Sequence, residues 1–111
     1  AEVIDKMVKA DVIVLATPVY FYTMSAQMKT LIDRSCARYT EISNKDFYFI
    51  ATMAETEANR IERTFESLRG FTDCLEGPRE KGTIAAIGVW QKGEVNDKPY
   101  MQQAYEMGKA I

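Results

Sequence analysis

Three aromatic side chains stand together in the segment Thr17-Pro18-Val19-Tyr20-Phe21-Tyr22-Thr23, between the apolar run Asp11-Val12-Ile13-Val14-Leu15-Ala16 and a helical pattern that starts near Met24. The chemistry such a segment offers is recognition of a planar, conjugated ligand. Aromatic faces and edges pack against a ring, and main-chain N–H and C=O groups on the rim hydrogen-bond its polar edge. A helix N-terminus directly after the turn adds free N–H groups and partial positive charge, which favours a ligand that gains negative charge on reduction. The same composition also suits another role, in which the aromatics plug the end of a sheet or meet another subunit.

Other chemistries find less support. The chain has no histidine, so zinc-hydrolase, Ser-His and Cys-His mechanisms lose an essential member. Cys36 and Cys74 lie in different elements without Cys-x-x-Cys spacing and read as two reduced, partly buried thiols. Glu55, Glu57, Glu62 and Glu66 form a carboxylate-rich stretch, but the spacing puts Glu62 and Glu66 on the solvated face of a helix. Lys29 and Asp33 are an i, i+4 pair of opposite sign and read as an ion pair. Trp90 could cap the sheet, meet a partner or reach a ligand, and Gly88 and Gly93 around it form no phosphate-cradling motif.

The elements that must position the aromatic segment follow from periodicity. Glu2 to Lys9 is helical, with Val3, Ile4, Met7 and Val8 on one face, and Asp11 to Ala16 is a strand bounded by Pro18. Met24, Met28, Leu31, Ile32 and Cys36 mark a helix over about 24–38, with Thr23 or Ser25 placed to cap it. Phe47-Tyr48-Phe49-Ile50-Ala51 is a second strand, entered from the polar turn Ser43-Asn44-Lys45-Asp46. Ala54, Ala58, Ile61, Phe65 and Leu68 repeat at helical spacing, with Gly70 where a left-handed cap would close the helix. Thr83 to Val89 is a third strand, and Pro99 opens a last helix carrying Met101, Ala104, Tyr105 and Ile111.

This alternation, with strands apolar on both faces, predicts a parallel sheet covered by helices on both sides. Right-handed crossovers put the turns 17–23, 52–56 and 90–97 on one carboxyl edge, where open α/β sheets bind ligands. Three strands are few for such a sheet, the usual number being about five or six. Together with a first residue that is Ala1 and a helix already under way at Glu2, this predicts a piece of a longer protein.

Composition sets the frame. The 111 residues are 47% apolar and 11% aromatic, enough for a core, and their formal charge is −2. No basic face is concentrated enough to track phosphates, which argues against nucleic acid and anionic membrane as partners. No apolar stretch approaches the ~20 residues of a membrane span, and the expected location is cytoplasmic.

Ala10 through Arg34 resembles the third strand, flavin turn and following helix of the flavodoxin-like NAD(P)H-dependent FMN reductase family, which includes iron–sulfur flavoproteins and multimeric flavodoxin-like quinone reductases. The residues that carry the resemblance are Pro18-Val19-Tyr20 and Lys29-Thr30-Leu31-Ile32-Asp33-Arg34, and Ala104-Tyr105-Glu106-Met107-Gly108-Lys109 is similar to the family's final helix. The resemblance implies an α/β three-layer sandwich of which residues 1–111 are the C-terminal part, comprising the last three strands and their helices. The family's first strand and phosphate-binding loop would precede Ala1.

By the same resemblance, Thr17, Pro18, Val19, Tyr20, Phe21, Tyr22 and Thr23 match the turn that wraps the isoalloxazine ring of FMN, largely through main-chain groups. Thr52, Met53 and Ala54 match the turn at its pyrimidine side. It further implies NAD(P)H as reductant, a quinone or another small or protein-bound electron acceptor, and a homo-oligomer. The glycine pair and histidine of quinone-reductase relatives are missing from Ala51-Thr52-Met53-Ala54-Glu55, which turns the expectation toward the iron–sulfur-flavoprotein-like or generic reductase branch. Any iron–sulfur cluster would lie upstream of this chain. No acid–base side chain is obligatory for this chemistry, and the chain alone is expected to bind FMN weakly or not at all. The competing readings are a non-catalytic assembly module and a receiver-type signalling module. The second suffers because Leu15-Ala16-Thr17-Pro18 offers no carboxylate where phosphate would be accepted.

Overall fold

Parallel pairing of three strands organises the chain in a computed structural model that describes residues 2–111. The strands are β1 (Val12–Pro18), β2 (Asp46–Thr52) and β3 (Arg79–Ala86), in the order β1-β2-β3. Ile13 stands beside Phe47 and Leu15 beside Phe49, and the register carries on from Ala51 to Ala85. Helix α1 (Glu2–Lys9) precedes β1, helices α2 (Ala26–Arg34) and α3 (Glu62–Thr72) lie on the two strand-to-strand connections, and α4 (Tyr100–Lys109) follows β3.

The core lies on one face of this sheet. Ile13 and Leu15 of β1 and Phe47, Phe49 and Ala51 of β2 pack with Ile4 and Met7 of α1, Met24, and Phe65, Leu68 and Phe71 of α3. The ring of Phe49 stacks on Phe65 and that of Phe47 meets Phe71 edge-on, each pair with centroids 6.5 Å apart. Each such buried side chain contributes about 1.5–3 kcal/mol. On the other face α4 packs against β3. A Cβ on Gly82 would lie 3.3 Å from the Tyr48 ring and 3.4 Å from Sδ of Met107, so the absence of a side chain there lets α4 approach. Helices thus flank both faces, but the cover is uneven, since Val14 of β1 is 45% exposed and Ala16 is exposed beside it. The expectation of strands buried on both faces is corrected for β1.

Local chemistry moves several boundaries. Pro18 is the last residue of β1, paired with Thr52, because a strand edge does not need its missing N–H. Ser25, not Thr23, caps α2, its Oγ accepting from the Met28 N–H at 3.2 Å. The helix then tightens to 3-10 geometry over Ser35–Glu41, where the buried Ser35 hydroxyl donates back to the Ile32 carbonyl at 2.7 Å. Cys36 leaves the expected helix face, and both Cys36 and Cys74 are exposed rather than partly buried.

A 3-10 turn, Ala58–Ile61, leads into α3, which runs through Gly70 to Thr72; that glycine therefore caps nothing. The left-handed residue comes later, at Gly77, where φ is +63° and a Cβ would sit 2.2 Å from Oδ1 of Asn44. Strand β3 begins four residues earlier than its apolar run. Arg79 pairs with Asp46 at 2.5 Å and brings the charged residues 79–81 into the sheet, while Gly88, with φ +67°, turns the chain away before Val89. Helix α4 ends at Lys109, leaving Ile111 beyond it, and Met101 and Tyr105 are exposed.

Candidate functional site

Because all three strands run the same way, Pro18, Thr52 and Ala86 end on one edge, and the turns after β1 and β2 meet there. The Val19 N–H donates to the Thr52 carbonyl at 2.8 Å, extending the sheet pairing by one bond into the turn. Tyr20 and Thr23 then exchange both main-chain hydrogen bonds, at 3.0 and 3.2 Å, and close a tight loop. Phe21 and Tyr22 at its tip adopt left-handed φ values of 52° and 65°. For aromatic residues such values are costly and call for surrounding structure that over-determines them.

Part of that structure is Thr17. Its side chain is buried, and Oγ1 accepts from the Ser25 N–H at 3.0 Å while donating to the Pro18 carbonyl at 2.8 Å. This single hydroxyl ties the end of β1 to the cap of α2. Tyr22 supplies the rest: its hydroxyl donates to Oε2 of Glu55 at 3.2 Å and accepts from Nη1 of Arg60 at 3.3 Å. The guanidinium carbons of Arg60 and Arg63 stand 5.7 and 5.5 Å from its ring centroid, within cation–π range. The Thr23 hydroxyl meets Ser67 of α3 at 3.3 Å.

The second turn is held from the β3 side. Met53 donates to Ala86 at 2.8 Å and accepts from Val89 at 3.0 Å, and Glu55 accepts from Gly88 at 3.0 Å. Among the ten residues expected to face a flavin, Thr17 and Met53 are buried and serve the scaffold, and Pro18, Val19 and Tyr22 are half-buried. Tyr20, Phe21, Thr23, Thr52 and Ala54 are open, with Phe21 fully exposed. No group of the described residues accepts from the main-chain N–H of Phe21, Tyr22 or Ala54, so the paired turns present unspent donors beside exposed rings. That donor set suits the polar edge and flat face of an isoalloxazine.

Trp90 is 76% exposed and does not cap the sheet. Asn59, Arg60 and Arg63 stand against the turn although nothing in the sequence singles them out. Their i, i+4 relation, Asn59 to Arg63, is visible along the chain, whereas their contact with Tyr22 spans about forty positions and is made only by the fold. Among the described residues no group of three or more His, Cys, Asp or Glu could hold a metal ion, and no described helix is long and apolar enough to cross a membrane.

The chain matches a solved structure titled as that of the Trp repressor binding protein from Bacillus subtilis with a TM-score of 0.80 at 20% identity. The match covers 93% of this chain and 66% of that one, so the chain spans just under two thirds of its neighbour's length. The architecture is therefore flavodoxin-like α/β. No curated protein matches. The model of the NADPH-dependent FMN reductases matches residues 1–72, from the first helix through both site turns to the end of α3. With well over half of its length matched, this chain belongs to the NADPH-dependent FMN reductase family.

Proposed function

We propose that the carboxyl edge of this sheet holds the isoalloxazine end of FMN in an NAD(P)H-dependent oxidoreductase. The observation that carries the reading is the meeting of turns 17–23 and 52–54, with exposed Tyr20 and Phe21 and unspent main-chain donors at Phe21, Tyr22 and Ala54. FMN held there would supply two-electron redox chemistry between a nicotinamide reductant and a quinone or another small or protein-bound acceptor. The chain's own residues bind and orient. The N–H groups of Phe21, Tyr22 and Ala54 would hold its polar rim and the rings of Tyr20 and Phe21 would shield it from water, while Thr17 and Ser25 keep the turn in shape.

The same reading makes residues 1–111 the C-terminal part of one flavodoxin-like domain that works as a homo-oligomer in the cytoplasm. The two site turns carry no glycine-rich cradle for a phosphate, so the chain alone holds FMN weakly. Titration with FMN, followed by flavin fluorescence and by amide shifts, tests both statements. Shifts centred on residues 17–23 and 52–54 at tens of micromolar FMN or above are expected. Shifts confined to another surface would overturn the site, and stoichiometric sub-micromolar binding would overturn the weak-binding statement. Light scattering that gave a strict monomer would count against the oligomer.

A further inference from the structure

Beside the turn after β1, Tyr22, Asn59, Arg60 and Arg63 line a hollow of about 250 Å³. A wider one of about 650 Å³ adjoins it, sharing Tyr22, Asn59 and Arg63 and adding the fully exposed ring of Phe21. Sites for small molecules commonly enclose about 300–1,000 Å³. The acids nearby are already engaged. Glu57 pairs with Arg60 at 2.9 Å, and Glu55 accepts from the Tyr22 hydroxyl at 3.2 Å. Glu62 and Glu66 are both drawn to Arg69, at 2.5 and 3.2 Å. Arg63 forms no ion pair and Asn59 no side-chain hydrogen bond with any described residue. The two hollows therefore join an open aromatic face to one unanswered cation and a free amide.

We propose that these hollows select the electron acceptor, a planar quinone bearing one acidic substituent, with its ring against Phe21 and its anion on Arg63 and Asn59; this rests on the flavin reading of the adjoining turn. Because Glu57 balances Arg60, a single positive charge is left over, and one sulfonate or carboxylate answers it. The guanidinium fork matches two oxygens of such a group, and the Asn59 amide supplies a further donor. A neutral quinone would gain nothing from Arg63. The fused rings suit Phe21, whose open face offers offset stacking at the tip of the flavin turn. In the reaction the quinone gains the hydride equivalent of the nicotinamide by way of the flavin and one proton from water. It leaves as the hydroquinone with its acidic group unchanged, and the nicotinamide leaves oxidised.

Binding alone tests the selection. Anthraquinone-2-sulfonate, naphthalene-2-sulfonate, the neutral naphthalene-2-sulfonamide, methanesulfonate and FMN are each titrated into the 111-residue chain and followed by amide shifts, for the wild type, Arg63→Gln, Arg63→Lys and Asn59→Ala. Both aromatic sulfonates are expected to shift residues 21–22 and 59–63, and naphthalene-2-sulfonate to bind at least tenfold more tightly than the sulfonamide or methanesulfonate. Arg63→Gln should weaken it about tenfold, Asn59→Ala severalfold, and Arg63→Lys less than Arg63→Gln, with circular dichroism unchanged. Equal affinity for the sulfonamide, equal affinity for methanesulfonate, binding unaffected by Arg63→Gln, or shifts of the anthraquinone confined to other residues would each overturn the proposal. Sulfonate binding at residues 59–63 with FMN shifts away from 17–23 would overturn the flavin reading and leave the subsite for an acidic arene standing. FMN shifts at residues 17–23 without preference for the sulfonate would overturn the subsite and leave the flavin reading standing.

Discussion

The hydroxyl of Tyr22 donates to the carboxylate of Glu55 at 3.2 Å across 33 positions of sequence, joining the turn after β1 to the turn after β2. A parallel sheet brings these two turns to one edge, but nothing in strand pairing fixes their distance beyond Val19 and Thr52. The phenol does so, and it holds Tyr22 in a left-handed conformation that the residue would otherwise leave. Tyr22→Phe removes both hydrogen bonds of the hydroxyl while keeping the ring beneath Arg60 and Arg63. Urea unfolding should show a loss of about 0.5–1.5 kcal/mol. Tyr22→Ala should cost more, since the cation–π contacts go as well. Equal stability of Tyr22→Phe and wild type would show that the bond does not set the turn.

Thr17→Val keeps the shape of a buried side chain but leaves the Ser25 N–H without an acceptor at the start of α2. The expected cost is about 1–3 kcal/mol, the penalty of an unsatisfied buried donor. Thr17→Ser should recover most of it, and amide exchange at Ser25 should be faster in the valine variant alone.

Thr64 presents the opposite case. It is fully buried on α3, and its hydroxyl has no hydrogen-bond partner. Thr64→Val replaces an uncompensated polar group with a methyl of similar size and should stabilise by up to about 1 kcal/mol, read as a higher midpoint in urea. A marked loss would mean that the hydroxyl finds a partner in solution.

Arg69 on α3 forks onto both carboxylate oxygens of Glu80 in β3, at 2.8 and 3.1 Å, and also reaches Glu62. These acids, Glu80 first, raise its pKa above the ordinary arginine value, so it stays charged at every accessible pH. Arg69→Met would leave the carboxylates of Glu62, Glu66 and Glu80 without their shared cation and should cost about 1 kcal/mol at low salt, an exposed network being worth less than a buried one. The loss should shrink in 1 M NaCl.

Glu41 gives a pH signature. The Arg38 guanidinium hydrogen-bonded to it holds its carboxyl below the usual value of 4.5, against a smaller opposing effect of burial. The unfolded chain therefore binds this proton more readily, so the stabilisation is present above about pH 4.5 and fades as the pH falls through the lowered folded-state value. Wild type should be more stable than Glu41→Gln at neutral pH, with the gap closing in acid. A pH-independent gap would refute the coupling.

The sequence by itself determined the alternation of elements and the edge on which the aromatic turn lies. An apolar run such as Phe47 to Ala51, flanked by helical patterns, points to a central strand of a parallel sheet, and handedness then allows one arrangement of the turns. Segment ends were hidden where backbone pairing overrides side-chain pattern. Arg79 to Lys81 join β3 through hydrogen bonds that hydropathy does not register, and Gly70 stays helical because nothing forces its φ positive. Tertiary structure alone decided how the site is shared out. Thr17 and Met53 became scaffold, Phe21 became open surface, and Arg60 and Arg63 came to rest on Tyr22, because these relations depend on distances between elements that local periodicity does not encode.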